Sequence, residues 1–320
     1  MHLNTKQLLY GMSTCLPGLS RFHAKGTGGL SARYCYAVWL RHLVMAGRNG
    51  LLAAPPKTVG ELGPGDSVGI GLAALLSGAE MYYGMDVVQH ASLPESATLL
   101  DELAALFKRR ESIPNPSEFS AVEPSLDSYA FPFELLTDQR LSASLSDDRI
   151  DRIRQSLDGC EGKAAMIRYA APWYGVDSIR RESCDMILSQ AVLEHVDDLP
   201  TAYRAMRLWL RPGGHISHEI DFGSHGLTDQ WNGHWACSDL AWRLMRGRRA
   251  YLLNRQPHST HVRLLEESGF AIRCDQKVKS PSALGADQLA TAFRDMPKED
   301  LTIRCAFIQA VVAPLSGVRK

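Results

Sequence analysis

The chain has 320 residues, which allows one large domain with additions or two smaller domains, and its 35 basic and 35 acidic residues cancel. This balance gives no indication of nucleic acid or an anionic membrane as the main partner, and it leaves a small molecule or a glycan open. Seven scattered cysteines without a C-x-x-C pair argue against a disulfide framework or a thiolate zinc site. No apolar run approaches the ~20 residues of a membrane span, so we expect a cytoplasmic chain.

Residues 1–55 are predicted to form a mainly helical segment, because apolar residues recur at helical spacing between 32 and 47. A strand over 57–62 then runs through a glycine loop into a helix that begins at Ser67. A second strand over 80–88 follows this helix. The strand, the helix and the second strand together predict a βαβ unit.

The rest of the chain continues the alternation of strand and helix after a long insertion over 93–162. This insertion is rich in Pro, Ser and aromatic residues, and we predict that it is a functional cover or is partly disordered. Further strands are predicted over 164–170, 184–192, 215–222, 270–278 and 301–314, with helices over 198–210 and 259–269. The alternation predicts an α/β domain over 56–320 with a parallel sheet covered on both faces.

The loop after the first predicted strand, ELGPGDS, is similar to two kinds of nucleotide-binding loop. A dinucleotide fingerprint would need a third glycine at the position of Val68. The pattern [DE]-x-G-x-G-x-G of class I S-adenosylmethionine (SAM) methyltransferases is matched by Glu61, Gly63 and Gly65, with Ser67 in place of the last glycine.

Glycine at 63 and 65 would let the main chain pass against the methionine part of such a ligand, where a Cβ atom would collide. Amides at the start of the next helix could then receive the ligand carboxylate. We expect Glu61 to face the ligand ammonium or an ordered water. Asp86 ends the second predicted strand, where an acidic side chain can accept hydrogen bonds from both ribose hydroxyls.

A second block, SCDMILSQAVLEHVDDLPTAYRAMRLWLRPGG over 183–214, resembles the fourth-strand region of class I methyltransferases. Ser189 and Gln190 lie at the end of its strand, and the sequence LEHV follows. With the glycine loop and Asp86 in the same order, the chain is similar to this superfamily over 62–90 and 164–222.

The resemblance implies a Rossmann-like methyltransferase sheet with an antiparallel last strand, and S-adenosyl-L-methionine as the cofactor. Many members have an Asp beside the adenine, whereas this chain has Ala170 and Ala171. Adenine recognition would then rest on backbone groups and on Trp173 or Tyr174. The implied cofactor residues are Glu61, Gly63, Gly65, Asp66, Ser67, Asp86, Ala171, Trp173, Ser189 and Gln190.

Transfer to a hydroxyl needs a base, and base candidates should follow strands four and five, where ligands of open α/β sheets bind. Strand alternation separates His218 from Asp221, so we predict that His218 is packed in the core and that Asp221 and His225 are catalytic. His195, in LEHV, is expected to shape the SAM pocket and is the third catalytic candidate. No tight spacing such as H-x-x-x-H favours a metal.

A looser resemblance begins at Asp221 and links the chain to methyltransferases of bacterial surface-polysaccharide gene clusters. The matching residues are Asp221, His225, Trp242, Tyr251, Asn254, Arg255 and Ser259. It implies a sugar or sugar-phosphate hydroxyl as the acceptor. Five arginines within 243–255 favour a solvated helix face, with a phosphate anchor as the alternative.

The sequence therefore predicts a SAM-dependent methyltransferase that O-methylates a small molecule or a glycan, with the insertion closing over the acceptor. Two alternatives stay open. One is a nicotinamide-dependent oxidoreductase, which Val68 disfavours. The other is a catalytically silent methyltransferase-like binding domain, which Ser67 and Ala171 would allow. The sequence does not indicate an oligomeric state.

Overall fold

Seven strands form one sheet in the order β3-β2-β1-β4-β5-β7-β6. The computed structural model describes residues 5–14, 31–159, 165–173, 176–249, 251–282 and 284–313. The strands are β1 Thr58–Leu62, β2 Met81–Met85, β3 Ile167–Ala170, β4 Cys184–Gln190, β5 Leu210–Asp221, β6 Phe270–Lys279 and β7 Ile303–Val312.

The pairing of these strands is parallel from β3 to β5 and antiparallel at β7. β1 pairs with both β2 and β4, while β7 lies between β5 and β6. This arrangement confirms the predicted Rossmann-like sheet with an antiparallel last strand. The strand order reverses between β1 and β4, and their carboxyl ends border the crevice where such sheets bind ligands.

Helices cover both faces of the sheet. They are α1 Thr5–Ser13, α2 Ala32–Arg48, α3 Gly69–Leu76, α4 Ala97–Arg109, α5 Asp138–Ser144, α6 Asp147–Leu157, α7 Leu199–Trp209, α8 Asp239–Arg246 and α9 His258–Glu267. One apolar core joins α2, α3 and α4 to one face, and a second joins α7 and α9 to the other. Among the described residues, no helix has both the length and the apolar character needed to cross a bilayer.

Helix α3 begins two residues later than the sequence predicts. Its N-cap position is Val68, which has no side-chain oxygen to cap the helix. The hydroxyl of Ser67 instead accepts a hydrogen bond from the amide of Gly69, at 3.4 Å. Ser67 therefore satisfies an amide of the first turn from within the loop.

The described part of the N-terminal segment consists of α1 and α2, and residues 15–30 lie outside the described residues. Helix α2 is central to the domain, because side chains such as Trp39 are completely buried against α3 and the sheet. The Trp39 indole donates to the hydroxyl of Ser77 at 2.8 Å, just beyond α3. The apolar spacing over 32–47 thus belongs to a core helix.

The insertion is folded against α2 and α3 over residues 93–159, and residues 160–162 lie outside the description. It contains α4, α5 and α6, together with a loop over 111–136. The buried guanidinium of Arg41 on α2 fixes this loop by donating to the carbonyl oxygens of Pro114 and Pro124. The loop also reaches the end of β4, where the side-chain amide of Gln190 donates to the carbonyl of Glu123 at 3.3 Å.

Candidate active site

A cavity of about 670 Å³ opens at the carboxyl ends of β1, β2 and β4. Its volume lies within the usual range for small-molecule and cofactor sites. Five of the predicted cofactor and catalytic residues line it, namely Gly63, Gly65, Asp86, Trp173 and His195. The structure therefore brings together the glycine loop, the end of β2, the segment after β3 and the turn after β4.

The two loop glycines have left-handed backbone conformations, with φ of 63° at Gly63 and 68° at Gly65. A Cβ atom on Gly63 would lie 2.6 Å from Cγ1 of Val192, whereas a Cβ on Gly65 would meet nothing within 4 Å. The sequence predicts a collision with the ligand at both positions. In the structure, Gly63 is required by a contact within the protein, and Gly65 borders the open cavity.

Replacing Gly63 by Ala is expected to lower the free energy of unfolding by about 2–4 kcal/mol, because it combines backbone strain with overpacking against Val192. Gly65→Ala is the matched control. It adds only the backbone strain, of about 1 kcal/mol. Urea unfolding of both variants measures the difference, and the additional change Val192→Ala should restore part of the loss. Equal losses in the two variants would contradict the steric explanation.

Asp86 is a buried carboxylate at the cavity wall. Its Oδ2 accepts the amide of Gly65 at 3.2 Å, and its Oδ1 accepts the amide of Val87 at 2.8 Å. Burial raises its pKa, although both amides oppose this effect. Each oxygen has a second acceptor site, so Asp86 has the capacity to bind two hydroxyl groups. Its own carbonyl accepts the amide of Trp173 at 2.9 Å, which holds that indole beside the cavity.

Glu61 is directed away from the cavity, in contrast to the expectation that it faces a ligand ammonium. Its buried carboxyl accepts the hydroxyl of Tyr82 at 2.7 Å, and burial raises its pKa to about 8. The other predicted loop residue, Asp66, is half-buried and is not part of the cavity lining, and the same holds for Ala171 after β3.

Ser189 and Gln190 are also not part of the cavity lining. The Ser189 hydroxyl is fully buried and pairs with Nδ1 of His218 at 2.8 Å. Gln190 points to the opposite face, where its Oε1 lies 3.0 Å from Nε2 of His42. The next residue along the chain, Ala191, lines the cavity and has a left-handed φ of 52°. The strand ends at Gln190, so the turn after it approaches the cavity.

Asp221 and His225 form a pair directly after β5, with 3.2 Å between Oδ2 of Asp221 and Nε2 of His225. Each side chain is 34% exposed, which leaves the pair reachable from solvent. Burial by itself would raise the pKa of Asp221. Hydrogen bonds from His225 and the amide of Gly223, and the charge of Arg304, hold this pKa below its usual value. Asp221 is therefore ionised at neutral pH.

His195 connects this pair to the cavity. Its ring lines the cavity, and its centroid is 5.3 Å from that of the His225 ring. Burial, with a smaller contribution from the charge of His225, lowers the pKa of His195 to about 4. A neutral imidazole therefore lies between the cavity and the Asp221–His225 pair.

Asn254 and Arg255, from the looser resemblance, make contacts that support the fold. The side-chain amide of Asn254 donates to the carbonyls of Leu193 and Val196, at 2.7 and 2.8 Å, and so fixes the turn that carries His195. Arg255 donates to the carbonyl of Cys237 and lies 4.7 Å from the ring centroid of Trp242. These contacts make Arg255 part of the protein interior, so it is not available as a phosphate anchor.

Glu219 is a buried carboxyl near the Asp221–His225 pair, and the sequence places it in the same cluster without favouring it as the base. It accepts the thiol of Cys305 at 2.7 Å and the side-chain amide of Gln190 at 3.4 Å. Burial raises its pKa to about 7. Strand alternation predicts that it shares a face of β5 with Asp221, two residues further along. Across the described ranges, no three or more His, Cys, Asp or Glu side chains are grouped to hold a metal ion.

Comparison with known proteins gives a family match over one part of the chain. Residues 163–217 match a family model described as a methyltransferase domain. This segment includes β4, α7 and most of β5, and it contains the LEHV turn. A search of curated proteins finds no match.

Several solved structures are similar over most of the chain. An S-adenosylmethionine-dependent methyltransferase from Mesorhizobium loti is 14% identical, with a TM-score of 0.40, and the match covers 83% of this chain and 95% of that chain. The YcgJ protein from Bacillus subtilis is 12% identical, with a TM-score of 0.42 and coverage of 86% and 99%. The CurJ carbon methyltransferase is 16% identical, with a TM-score of 0.37 and coverage of 87% and 54%.

The family match falls on the segment that supplies one wall of the cavity. The opposite wall is the glycine loop and Asp86, on a sheet with the strand order given above. These features fit a nucleoside cofactor, because Gly65 leaves space beside the cavity and Asp86 has free acceptor capacity. The chain has a Rossmann-like fold, and its segment over 163–217 matches a methyltransferase domain.

Proposed function

We propose that the chain is a SAM-dependent methyltransferase and that it transfers the methyl group to a hydroxyl of a small molecule or a sugar, including sugar phosphates. The observation that carries the proposal is the Asp221–His225 pair, which lies next to a cavity-lining histidine at the carboxyl end of β5. A hydroxyl is a weak nucleophile at neutral pH and needs a base, whereas in-line transfer otherwise needs only alignment. An acid–imidazole pair at this position supplies that base.

The cavity residues would hold the cofactor in three parts. The loop at Gly63 and Gly65 would pass along the methionine portion, Asp86 would accept the ribose hydroxyls, and Trp173 would lie beside the adenine. The cofactor supplies the electrophilic methyl group when it is bound. Glu61 and Ser67 would support the loop from behind, since their contacts are with Tyr82 and with the start of α3.

The protonation state of the Asp221–His225 pair determines which nitrogen of His225 can accept a proton. Because Asp221 is ionised, Nε2 of His225 must carry the hydrogen that lies between them. In the neutral ring, Nδ1 of His225 is then the proton acceptor. After His225 takes the acceptor proton, Asp221 stabilises the imidazolium. His195 stays neutral and excludes water from this side of the cavity.

The insertion would cover the acceptor. Its loop over 111–136 is already fixed near the catalytic end of the sheet by the contact between Gln190 and Glu123. Arg41 holds the same loop on α2. A cover of this kind would exclude water during transfer and keep the acceptor in line.

Cofactor binding is tested by Asp86→Ala. We expect the Kd for SAM to rise about 100-fold, because two hydrogen bonds to a buried carboxylate are lost. Isothermal titration with SAM and with NAD measures this directly, and the unchanged chain should bind only SAM. Asp66→Ala, on the same loop, is the control and should change the Kd by less than about threefold. An unchanged Kd in Asp86→Ala would contradict the assignment of Asp86.

The methylated atom is tested with acceptors that share one scaffold. Glucose, glucose phosphates and glucosamine would be incubated with methyl-labelled SAM, and the products identified by mass spectrometry. The proposal expects label on oxygen in a sugar or another small hydroxyl compound. Label found only on the nitrogen of glucosamine would show that the base acts on an amine, and the hydroxyl assignment would be wrong.

A further inference from the structure

Exposed apolar side chains are concentrated on two helices. In the described part of the chain, five of the nine large hydrophobic side chains that are exposed lie on α1 and α8; they are Leu9, Tyr10, Met12, Leu240 and Leu244. Leu240 is the most exposed of all nine, at 64%. Two others, Val87 and Tyr251, line the cofactor cavity. Such a concentration marks an interaction surface, whereas single exposed apolar residues do not.

The two helices are firmly attached to the domain by their inner faces. On α8, Trp242 and Met245 are buried against Leu253. Helix α1 crosses α8 at Gly11, where a Cβ atom would lie 2.0 Å from the carbonyl oxygen of Met245. In the described part of the chain, the exposed leucines are therefore on the outer side of a packed pair of helices.

The same region carries unpaired positive charge. Lys6, Arg243 and Arg248 are exposed, and none of them has an ion-pair partner among the described residues. Arg246 and Arg255, by contrast, pair with Asp197 and Asp239. The balanced net charge of the whole chain thus conceals a local excess of basic side chains beside apolar ones.

We infer that this surface docks onto an anionic lipid bilayer. The α1–α8 surface is defined here by Lys6, Leu9, Met12, Leu240, Arg243, Leu244 and Arg248. Leucine and methionine side chains would enter the boundary between headgroups and acyl chains, and the basic side chains would pair with headgroup phosphates. The inference does not depend on which acceptor is methylated.

A second copy of the chain is the competing occupant of this surface. A twofold dimer through it would bring the same basic residues of both copies together. Arg243 lies between Leu240 and Leu244 in the sequence of α8, and all three are exposed. Like charges brought together in an interface are destabilising, which favours a negatively charged partner.

The test is cosedimentation with lipid vesicles, using the full chain. Vesicles of phosphatidylcholine alone are compared with vesicles of an equimolar mixture of phosphatidylcholine and phosphatidylglycerol. We expect binding to the mixed vesicles only, and weaker binding at high salt because the basic contacts are screened. In the variant Arg243→Glu with Leu244→Ser, the affinity should fall by about tenfold or more.

A matched variant makes the same two changes elsewhere. Arg273→Glu with Phe133→Ser alters an exposed arginine on β6 and an exposed phenylalanine of the insertion, and it should bind vesicles as the unchanged chain does. Both variants should keep their affinity for SAM, which shows that they are folded. Absence of binding to mixed vesicles, equal loss in both variants, or a dimer that dissociates only in the first variant would each overturn the inference.

Discussion

Asp221→Asn is expected to lower kcat for methyl transfer by about 100- to 10,000-fold, the range contributed by a positioned acid or base. Asparagine keeps the size of the side chain but removes the negative charge that stabilises protonated His225. The Kd for SAM should stay within about twofold, since Asp221 is not part of the cavity lining. Single-turnover transfer of the methyl group from labelled SAM measures this loss. It uses the acceptor that the labelling experiment identifies.

Further variants separate the pair from its neighbours. His225→Gln should cause a similar loss, and the double variant should lose little more than either single one, because residues that act as a unit are not additive. Asp229→Asn, an exposed acid on the same segment, is the matched control. If Glu219→Gln strongly lowered kcat while Asp221→Asn left it unchanged, Glu219 and not the Asp221–His225 pair would be the base.

The sheet could be predicted from the sequence because its signals are local. Apolar runs separated by helical patterns identify β1, β2, β4 and β5, and the order of the motifs along the chain predicts the topology. The start of α3 was placed too early because Ser67 is a common N-cap residue. In the structure the loop extends to Val68, and the Ser67 hydroxyl bonds within it.

The cavity could be predicted only in part. Motif spacing predicts that Gly65 and Asp86 lie at the cavity. Gly65 is in the turn after β1 and Asp86 is at the end of β2, and both positions are set by the backbone of the sheet. It could not locate the side chains of Ser189 and Gln190, which depend on pairing with β5. There Ser189 lies opposite His218, and Gln190 lies opposite Glu219. These are contacts between distant parts of the chain, and a single sequence does not specify them.

The sequence predicts burial for His218 alone among the histidines. The burial of several histidines nevertheless has the largest expected consequence for stability. Six histidines are held neutral, with burial as the main cause; their pKa values are about 4 for His42, His195 and His215, and about 3 for His218, His234 and His261. The sequence favours His225 and His195 for proton transfer, and neither lies in the core. It does not predict the burial of His42, His215, His234 and His261, which the structure places in the core.

Acidification is therefore expected to unfold the chain over a narrow pH range. Above the unfolded-state pKa of 6.5, these histidines are neutral in both the folded and the unfolded state, so their burial does not make the free energy of unfolding depend on pH. As the pH falls below 6.5, the unfolded chain takes up protons that the folded chain cannot, so stability falls. Buried Glu61, Glu194 and Glu219 act oppositely, because burial raises their pKa values and so reduces stability as the pH rises above 4.5. Stability should be greatest near about pH 6.5.

The pH dependence of the free energy of unfolding below pH 6.5 can be assigned to particular side chains. The six histidines take up most of their protons near pH 5 on unfolding, and the three glutamates oppose them. The free energy of unfolding should therefore fall by on the order of 4 kcal/mol per pH unit there. Urea unfolding at a series of pH values measures this slope. His218→Asn can keep the contact with Ser189 and should reduce the slope by about 1.4 kcal/mol per pH unit, the value for one proton. His90→Asn alters an exposed histidine and should leave the slope unchanged, so equal slopes in both variants would contradict the role of the buried rings.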